Sequence, residues 1–203
     1  MKGLSLRVAA RVAATEAEGP HLRYALWVQG CPLRCDGCCN PGMLAPSGGD
    51  VVPVEVLAAE IEATPRIEGV TLLGGEPFAQ APALAALAAR VRARGLGVMV
   101  FTGYALEALR ASPEPGVAAL LAETDLLVDG PYERARASSA RRFIGSDNQR
   151  VHAFGARYAA LAVPGGWAAG AGEVEVRIDG ARVFLNGAPD PALAAALGAL
   201  AQP

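Results

Sequence analysis

Two periods alternate along the chain. Short apolar runs are followed by stretches in which apolar residues recur at helical spacing, and then by another short run. Tyr24-Ala-Leu-Trp-Val-Gln29, Val70-Thr-Leu-Leu73, Val98-Met-Val-Phe101 and Asp125-Leu-Leu-Val-Asp129 are runs of the first kind and predict buried strands, with a further strand over 3–13. Between them Val54, Leu57, Ala58 and Ile61 share one face of a helix over 53–63, whose first turn suits Pro53. Leu84, Leu87, Ala88 and Val91 do the same over 81–94, where Gly95 supplies a stop. Shorter helices are expected near 104–111 and 116–122. Strands alternating with helices predict parallel βαβ units, hence an α/β fold.

Beyond Val151 the pattern changes. Residues 155–172 are rich in Gly and Ala and read as a connector. Residues 173–178 and 181–185 read as a hairpin turning at Asp179-Gly180, and a last helix is expected over 190–201. The chain therefore divides into a core over 1–154 and an appendage over 155–203.

In parallel α/β folds, functional residues gather at the carboxyl ends of the strands. Four stretches take that position here: the loop after Gln29, Gly74-Gly75-Glu76-Pro77, Thr102-Gly103-Tyr104 and Asp129. The first holds all four cysteines, with Cys31, Cys35 and Cys38 at Cys-x3-Cys-x2-Cys spacing and Cys39 directly after. Gly30, Pro32, Gly37 and Pro41 favour a wrapping loop over a helix. One tight cluster without a secretory signal argues against a disulfide framework. Structural zinc prefers separated pairs or nearby histidines, and His21 and His152 are distant. An iron–sulfur cluster suits the spacing best, with zinc or inert thiols as the alternatives. Three well-placed thiolates would leave one iron open, and Cys39 is expected to be a buried, inert thiol.

Composition narrows the classes. The chain has 203 residues, 52% of them hydrophobic, and a net charge of −2 from 18 basic and 20 acidic residues, so no global field calls for nucleic acid. No apolar run reaches the roughly twenty residues of a membrane span, and no signal peptide precedes the core, so a cytoplasmic placement is expected.

The cysteine spacing resembles the signature of the radical S-adenosylmethionine superfamily. The fuller string Gly30-Cys-Pro-Leu-Arg-Cys-Asp-Gly-Cys-Cys-Asn-Pro41 is similar to the activating enzymes of anaerobic ribonucleotide reductase, although Cys39 stands where an aromatic residue is usual. Gly74-Gly75-Glu76-Pro77 matches the superfamily's Gly-Gly-Glu-Pro motif. Thr102-Gly103-Tyr104 and the Val-Asp129-Gly segment resemble further activase motifs, and Gly145-Ser-Asp-Asn148-Gln-Arg150 matches the activases' Gly-Ser-x-Asn-Gln-Arg.

The resemblance, which covers about 1–154, implies a partial (βα) barrel of radical S-adenosylmethionine type. It implies a [4Fe-4S] cluster on Cys31, Cys35 and Cys38, with S-adenosylmethionine held by Gly74, Gly75, Glu76 and Pro77. Thr102 and Asp129 are implied near that cofactor, and Asn148 and Arg150 either contact it or order the cluster loop. The implied reaction is reductive cleavage to a 5′-deoxyadenosyl radical that abstracts hydrogen, with electrons from a flavodoxin or ferredoxin. In the activases the target is a glycine of a partner enzyme, which becomes a glycyl radical. Direct action on a small molecule or peptide is the alternative, and a non-catalytic cluster-binding module a third. The run Arg134, Arg136, Arg141, Arg142 reads as a solvated loop or a docking site for an acidic partner. The appendage has no counterpart in the resemblance.

Overall fold

Four apolar strands lie side by side and parallel at the centre of the molecule: β2 (Arg23–Val28), β4 (Gly69–Gly74), β5 (Gly97–Phe101) and β6 (Leu126–Asp129). Every residue of β2 and β6 is buried, as strands covered on both faces require. The flanks are antiparallel. β1 (Ser5–Thr15) pairs with β2 and with the short β3 (Asp50–Pro53), and β7 (Arg150–Ala153) pairs with β6. The sheet order is β3-β1-β2-β4-β5-β6-β7, with a separate hairpin, β8 (Val174–Asp179) and β9 (Arg182–Gly187). The computed structural model describes residues 3–163, 173–179 and 182–187, together with Leu193 and Ala196.

Alternation along the strands separates two environments. Tyr24, Leu26, Val28, Val70, Leu72, Val98, Val100 and Leu127 face the helices α1 (Val54–Ala63), α2 (Ala81–Ala93), α3 (Leu106–Ala111) and α4 (Pro115–Ala122). Val54, Leu57, Ala58 and Ile61 of α1 and Leu84, Leu87, Ala88 and Val91 of α2 complete this core, matching the faces read from their spacing. On the opposite face Ala25, Trp27, Leu73, Met99, Leu126 and Val128 pack with Ala9, Val12, Phe101, Val151 and Ala153 of the strands and with Met43, Phe143, Ile144, Tyr158 and Leu161 from loops and single 3-10 turns, and no α-helix among the described residues joins them.

Several expectations need correction. β3 was not anticipated, because Gly48-Gly49-Asp50 reads as a loop and only Val52 of the strand is buried. Pro53 ends that strand and stands before α1, outside its first turn. Asp179 pairs with Arg182, so it belongs to β8 and not to the turn; Gly180 lies outside the described residues. The connector contains Tyr158, which is 2% exposed and packs on Met99 and Leu126, so that part is core. The helix over 190–201 lies outside the described residues apart from Leu193 and Ala196.

Candidate functional site

The four suspected stretches meet at one edge of the sheet, each immediately beyond a parallel strand. Left-handed backbone at Gly30, Arg34 and Gly37 (φ +97°, +50° and +74°) turns the cysteine segment back on itself. Gly30 and Cys31 then donate their N–H groups to Met43 and Leu44 carbonyls at 2.9 and 3.1 Å, closing the loop. Gln29 braces it from below, donating to the Ala45 carbonyl at 2.8 Å. Cys31, Cys35 and Cys38 are free and half-buried within this loop. Cys38 N–H donates to the Cys35 carbonyl at 3.2 Å, and the Asn40 N–H reaches Cys38 Sγ at 3.4 Å. N–H donors to sulfur stabilise thiolates and tune iron–sulfur centres.

Among the described residues no three His, Cys, Asp or Glu side chains converge on a point able to hold one metal ion. Tetrahedral zinc needs its sulfurs about 2.3 Å from a single ion. A four-iron cluster takes one thiolate per iron, so its ligands stand further apart than those of a single ion. Cys39 is exposed, contrary to the expected buried thiol. Its crowded surroundings and the adjacent Cys38 nevertheless push its pKa up.

Gly74-Gly75-Glu76-Pro77 is fastened directly to this loop. Glu76 N–H donates to the Gly30 carbonyl at 2.9 Å, and Gly75 N–H to the Val28 carbonyl at 2.8 Å. Both glycines are obligatory. A Cβ on Gly74, whose φ is +106°, would lie 2.7 Å from Trp27 Cα, and one on Gly75 would strike the Gly30 carbonyl. The Glu76 carboxylate points inward and is 1% exposed. It accepts from Phe78 N–H and Thr102 Oγ1 at 2.9 Å each, and from Gly103 N–H at 3.0 Å. All three donors are neutral, so burial outweighs them and raises its pKa to about 7. Pro77 and Phe78 bury beneath it.

Thr102 also accepts from Tyr104 N–H at 3.1 Å, and Leu33 of the cysteine loop packs against Gly103. Gly30, Glu76 and Thr102–Gly103 thus form one continuous hydrogen-bonded unit.

Asp129 sits at the end of β6 with no exposed surface, outside that unit. Its Oδ2 accepts from Leu106 N–H at 2.6 Å and from Arg150 Nη2, and its Oδ1 accepts from Arg150 Nε at 3.0 Å. His152 Nε2 lies 3.1 Å from the same Oδ1. Burial pushes Asp129 up, but the Arg150 and Leu106 donors outweigh it and hold the carboxyl below its ordinary range. Arg150 also clamps Glu107 of α3 at 2.9 and 2.7 Å. Sequence reasoning missed Glu107, whose only signal was its place in the first turn of a short helix. Asn148 donates to the Pro131 carbonyl at 2.7 Å, while its Oδ1 is buried without a hydrogen-bond partner. Of the arginine run, Arg134 and Arg136 are exposed and pair with Asp36 of the cysteine loop at 3.7 Å and with Glu133 at 3.5 Å, Arg141 braces the Ser146 and Gln149 carbonyls, and Arg142 pairs with Glu173.

Residues 17–152 match the family model described as a 4Fe-4S single cluster domain. The anaerobic ribonucleoside-triphosphate reductase-activating protein of Vibrio cholerae is 34% identical over 145 residues, 67% of this chain and 90% of that protein. The protein of that name from Enterobacteria phage T4 is 30% identical, over 66% of this chain and 85% of its own length. A pyruvate formate-lyase-activating enzyme from Staphylococcus epidermidis is 36% identical over 42% of this chain and 36% of that enzyme. The chain is thus a member of the 4Fe-4S single-cluster, radical S-adenosylmethionine class, and within it belongs to the family of anaerobic ribonucleoside-triphosphate reductase-activating proteins. Its cofactors are a [4Fe-4S] cluster and S-adenosylmethionine. No helix among the described residues is long and apolar enough to cross a membrane.

Proposed function

We propose that this protein cleaves S-adenosylmethionine reductively and activates a glycyl-radical enzyme, an anaerobic ribonucleotide reductase or a close functional equivalent. The observation that carries the reading is the bond from Glu76 N–H to the Gly30 carbonyl, which joins the cofactor-type glycine loop to the first residue of the cysteine loop. Cys31, Cys35 and Cys38 hold the cluster, each as a thiolate. Glu76 is a buried carboxylate with neutral partners only, and the missing cation is the cofactor's ammonium. Gly74 and Gly75 let backbone approach that group, with Pro77 fixing the turn. Thr102 positions the carboxylate. Asp129 and Arg150 brace the adjoining wall, and Asn148 brings a spare acceptor, its Oδ1, to the same cofactor. When bound, the cluster supplies one electron and the cofactor supplies the radical that abstracts hydrogen. The four parallel strands form the wall of a partial barrel, and a flavodoxin or ferredoxin is the electron source.

The test is anaerobic. Reconstituted protein given dithionite and S-adenosylmethionine should release 5′-deoxyadenosine and methionine, and Cys35→Ala should release neither. A glycyl-radical signal on an added anaerobic ribonucleotide reductase, seen by electron paramagnetic resonance, would establish the target. Release of 5′-deoxyadenosine without any such signal would favour direct action on a small substrate. A protein that takes up no cluster would overturn the assignment.

A further inference from the structure

The family match ends at residue 152, and the β8–β9 hairpin lies beyond it. Its attachment is unusual. One side of the hairpin carries Glu175 and Asn186, and this side meets the body. Asn186 Nδ2 donates to Thr15 Oγ1 at 2.7 Å, with both residues buried. Glu16 N–H donates to Glu175 Oε1 at 2.9 Å, Gly187 N–H donates to Glu18 Oε1 at 2.6 Å, and Arg177 reaches the Ala14 carbonyl. At the edge Glu173 pairs with Arg142, which also donates to the Glu16 carbonyl at 3.4 Å. The other side of the hairpin carries Val176, Ile178 and Leu185, which are 50%, 76% and 40% exposed.

An appendage fixed permanently to a domain turns its apolar side inward, where each buried Val, Leu or Ile stabilises the attachment. This hairpin turns inward the face that carries Glu175, Arg177 and Asn186, with Phe184 at the same register, and leaves Val176, Ile178 and Leu185 exposed. Hydrogen bonds made there replace bonds to water and each contributes less than a buried aliphatic side chain, and a pair as exposed as Arg142–Glu173 adds less again. A two-stranded hairpin is itself marginal. Such a seam closes and opens at little cost.

What the seam fastens is specific. Residues 16–20 lie across the face of the sheet opposite α1–α4: a Cβ on Gly19 would be 2.9 Å from Met99 Sδ and 3.1 Å from Thr71 Oγ1. Arg142 precedes Phe143 and Ile144, which pack on Met99, Leu126 and Val128 of the same face. The α-helices close the opposite face, so a molecule lying along the sheet toward the cysteine loop would lie on the face that these two loops partly cover.

We infer that the β8–β9 hairpin is a strap joining the 16–18 stretch to the 138–147 loop across the face of the sheet opposite α1–α4, and that it sets how wide the approach to the cysteine loop opens for the hydrogen donor. The functional half of this rests on the proposed radical chemistry; the structural half does not. The strap is a specificity element. Closed, it admits only a donor able to displace it; open, it admits small ones.

The experiment uses the full chain and two readouts. Asn186→Asp places a carboxylate beside those of Glu175 and Glu18, at a side chain whose hydrogen bonds run to Thr15 and Glu175. Arg142→Glu breaks the edge pair, and Arg142→Glu with Glu173→Arg restores it. Amide hydrogen exchange is measured over 14–19 and 138–147. In Asn186→Asp both segments should exchange severalfold faster while β4 and β5 are unchanged, and the double swap should return toward wild type. Equal protection of 138–147 in wild type and Asn186→Asp would overturn the strap.

In the second readout α-deuterated pentaglycine is added during dithionite-driven cofactor cleavage. Breaking its Cα–D bond and forming a C5′–D bond puts deuterium into 5′-deoxyadenosine. The deuterated fraction should rise severalfold in Asn186→Asp with total 5′-deoxyadenosine unchanged. An unchanged fraction alongside loosened loops would overturn the gating role. Absence of 5′-deoxyadenosine from every protein, wild type included, would count against the proposed function, and the exchange data alone would then decide the strap.

Discussion

At the residue scale the informative side chains are buried groups whose charge is left to neutral partners. Glu76 is the sharpest case. An ordinary carboxyl titrates near 4.5 and this one near 7, so between those values the folded state keeps a proton that the unfolded chain releases. A raised carboxyl pKa lowers stability as pH climbs through that window. Glu76→Gln removes the titration, at the cost of one mismatched donor that is the same at every pH. The stability of the variant relative to wild type should therefore shift in its favour by about 3 kcal/mol between pH 4 and pH 8, at about 1.4 kcal/mol for each pKa unit. Urea unfolding of the cluster-free protein measures this. Parallel curves would show that Glu76 is not held protonated. Glu18, which burial also raises to about 7, is present in both proteins and cancels. Arg23 is the cationic counterpart. It is fully buried and satisfied by Thr71 Oγ1 at 2.6 Å, Tyr158 OH at 2.9 Å and the Val70 carbonyl at 2.7 Å. Nothing local in the sequence marks such a residue, because its partners lie 48, 135 and 47 positions away.

At the scale of elements, the strand ends and helix starts are coupled through side chains. Asp129 ends β6, receives the Leu106 N–H at the start of α3, and holds Arg150 of β7. Three elements depend on one carboxylate, although α3 has only six residues and too few internal bonds to persist alone. Asp129→Asn should cost about 2 kcal/mol, the range for buried hydrogen bonds to charged groups. Glu107→Gln alters the solvent side of the same cluster and should cost clearly less than Asp129→Asn. Thermal unfolding separates them, and equal losses would mean that the cap on α3 is not what Asp129 supplies. The elements were read well where burial was two-sided. β2, β4, β5 and β6 appear as apolar runs because both faces are covered, and α1 and α2 show their buried stripe directly. β3 failed to show because it is an edge strand with one buried side chain. Its partner Leu6–Val8 is what makes it a strand.

At the scale of the whole molecule, the sheet divides structure from chemistry. Its helix side is an apolar core, and its carboxyl edge carries Cys31, Cys35, Cys38, Glu76 and Thr102. The motifs were legible because glycine and cysteine at fixed spacing have few other uses. The polar seam of the hairpin was not, since Thr15 and Asn186 are ordinary residues until the fold brings them together. This division predicts that stability and chemistry can be altered separately. Leu127 is fully buried among the helix-side residues, one position from Val128 on the other face. Leu127→Ala should remove about 2–5 kcal/mol through lost transfer energy and the cavity left behind. Because the cavity opens away from the cysteine loop, 5′-deoxyadenosine released per folded, cluster-loaded molecule should stay within twofold of wild type. Gly75→Ala should do the reverse at the edge. Its Cβ pushes against the Gly30 carbonyl at the entry to the cysteine loop, so cluster-loaded protein should lose cofactor cleavage by an order of magnitude or more. Its unfolding midpoint should fall less than that of Leu127→Ala. If Leu127→Ala lost activity in parallel with stability, or Gly75→Ala kept full activity, the glycine loop and the core would not be the separate systems that the two faces of the sheet make them.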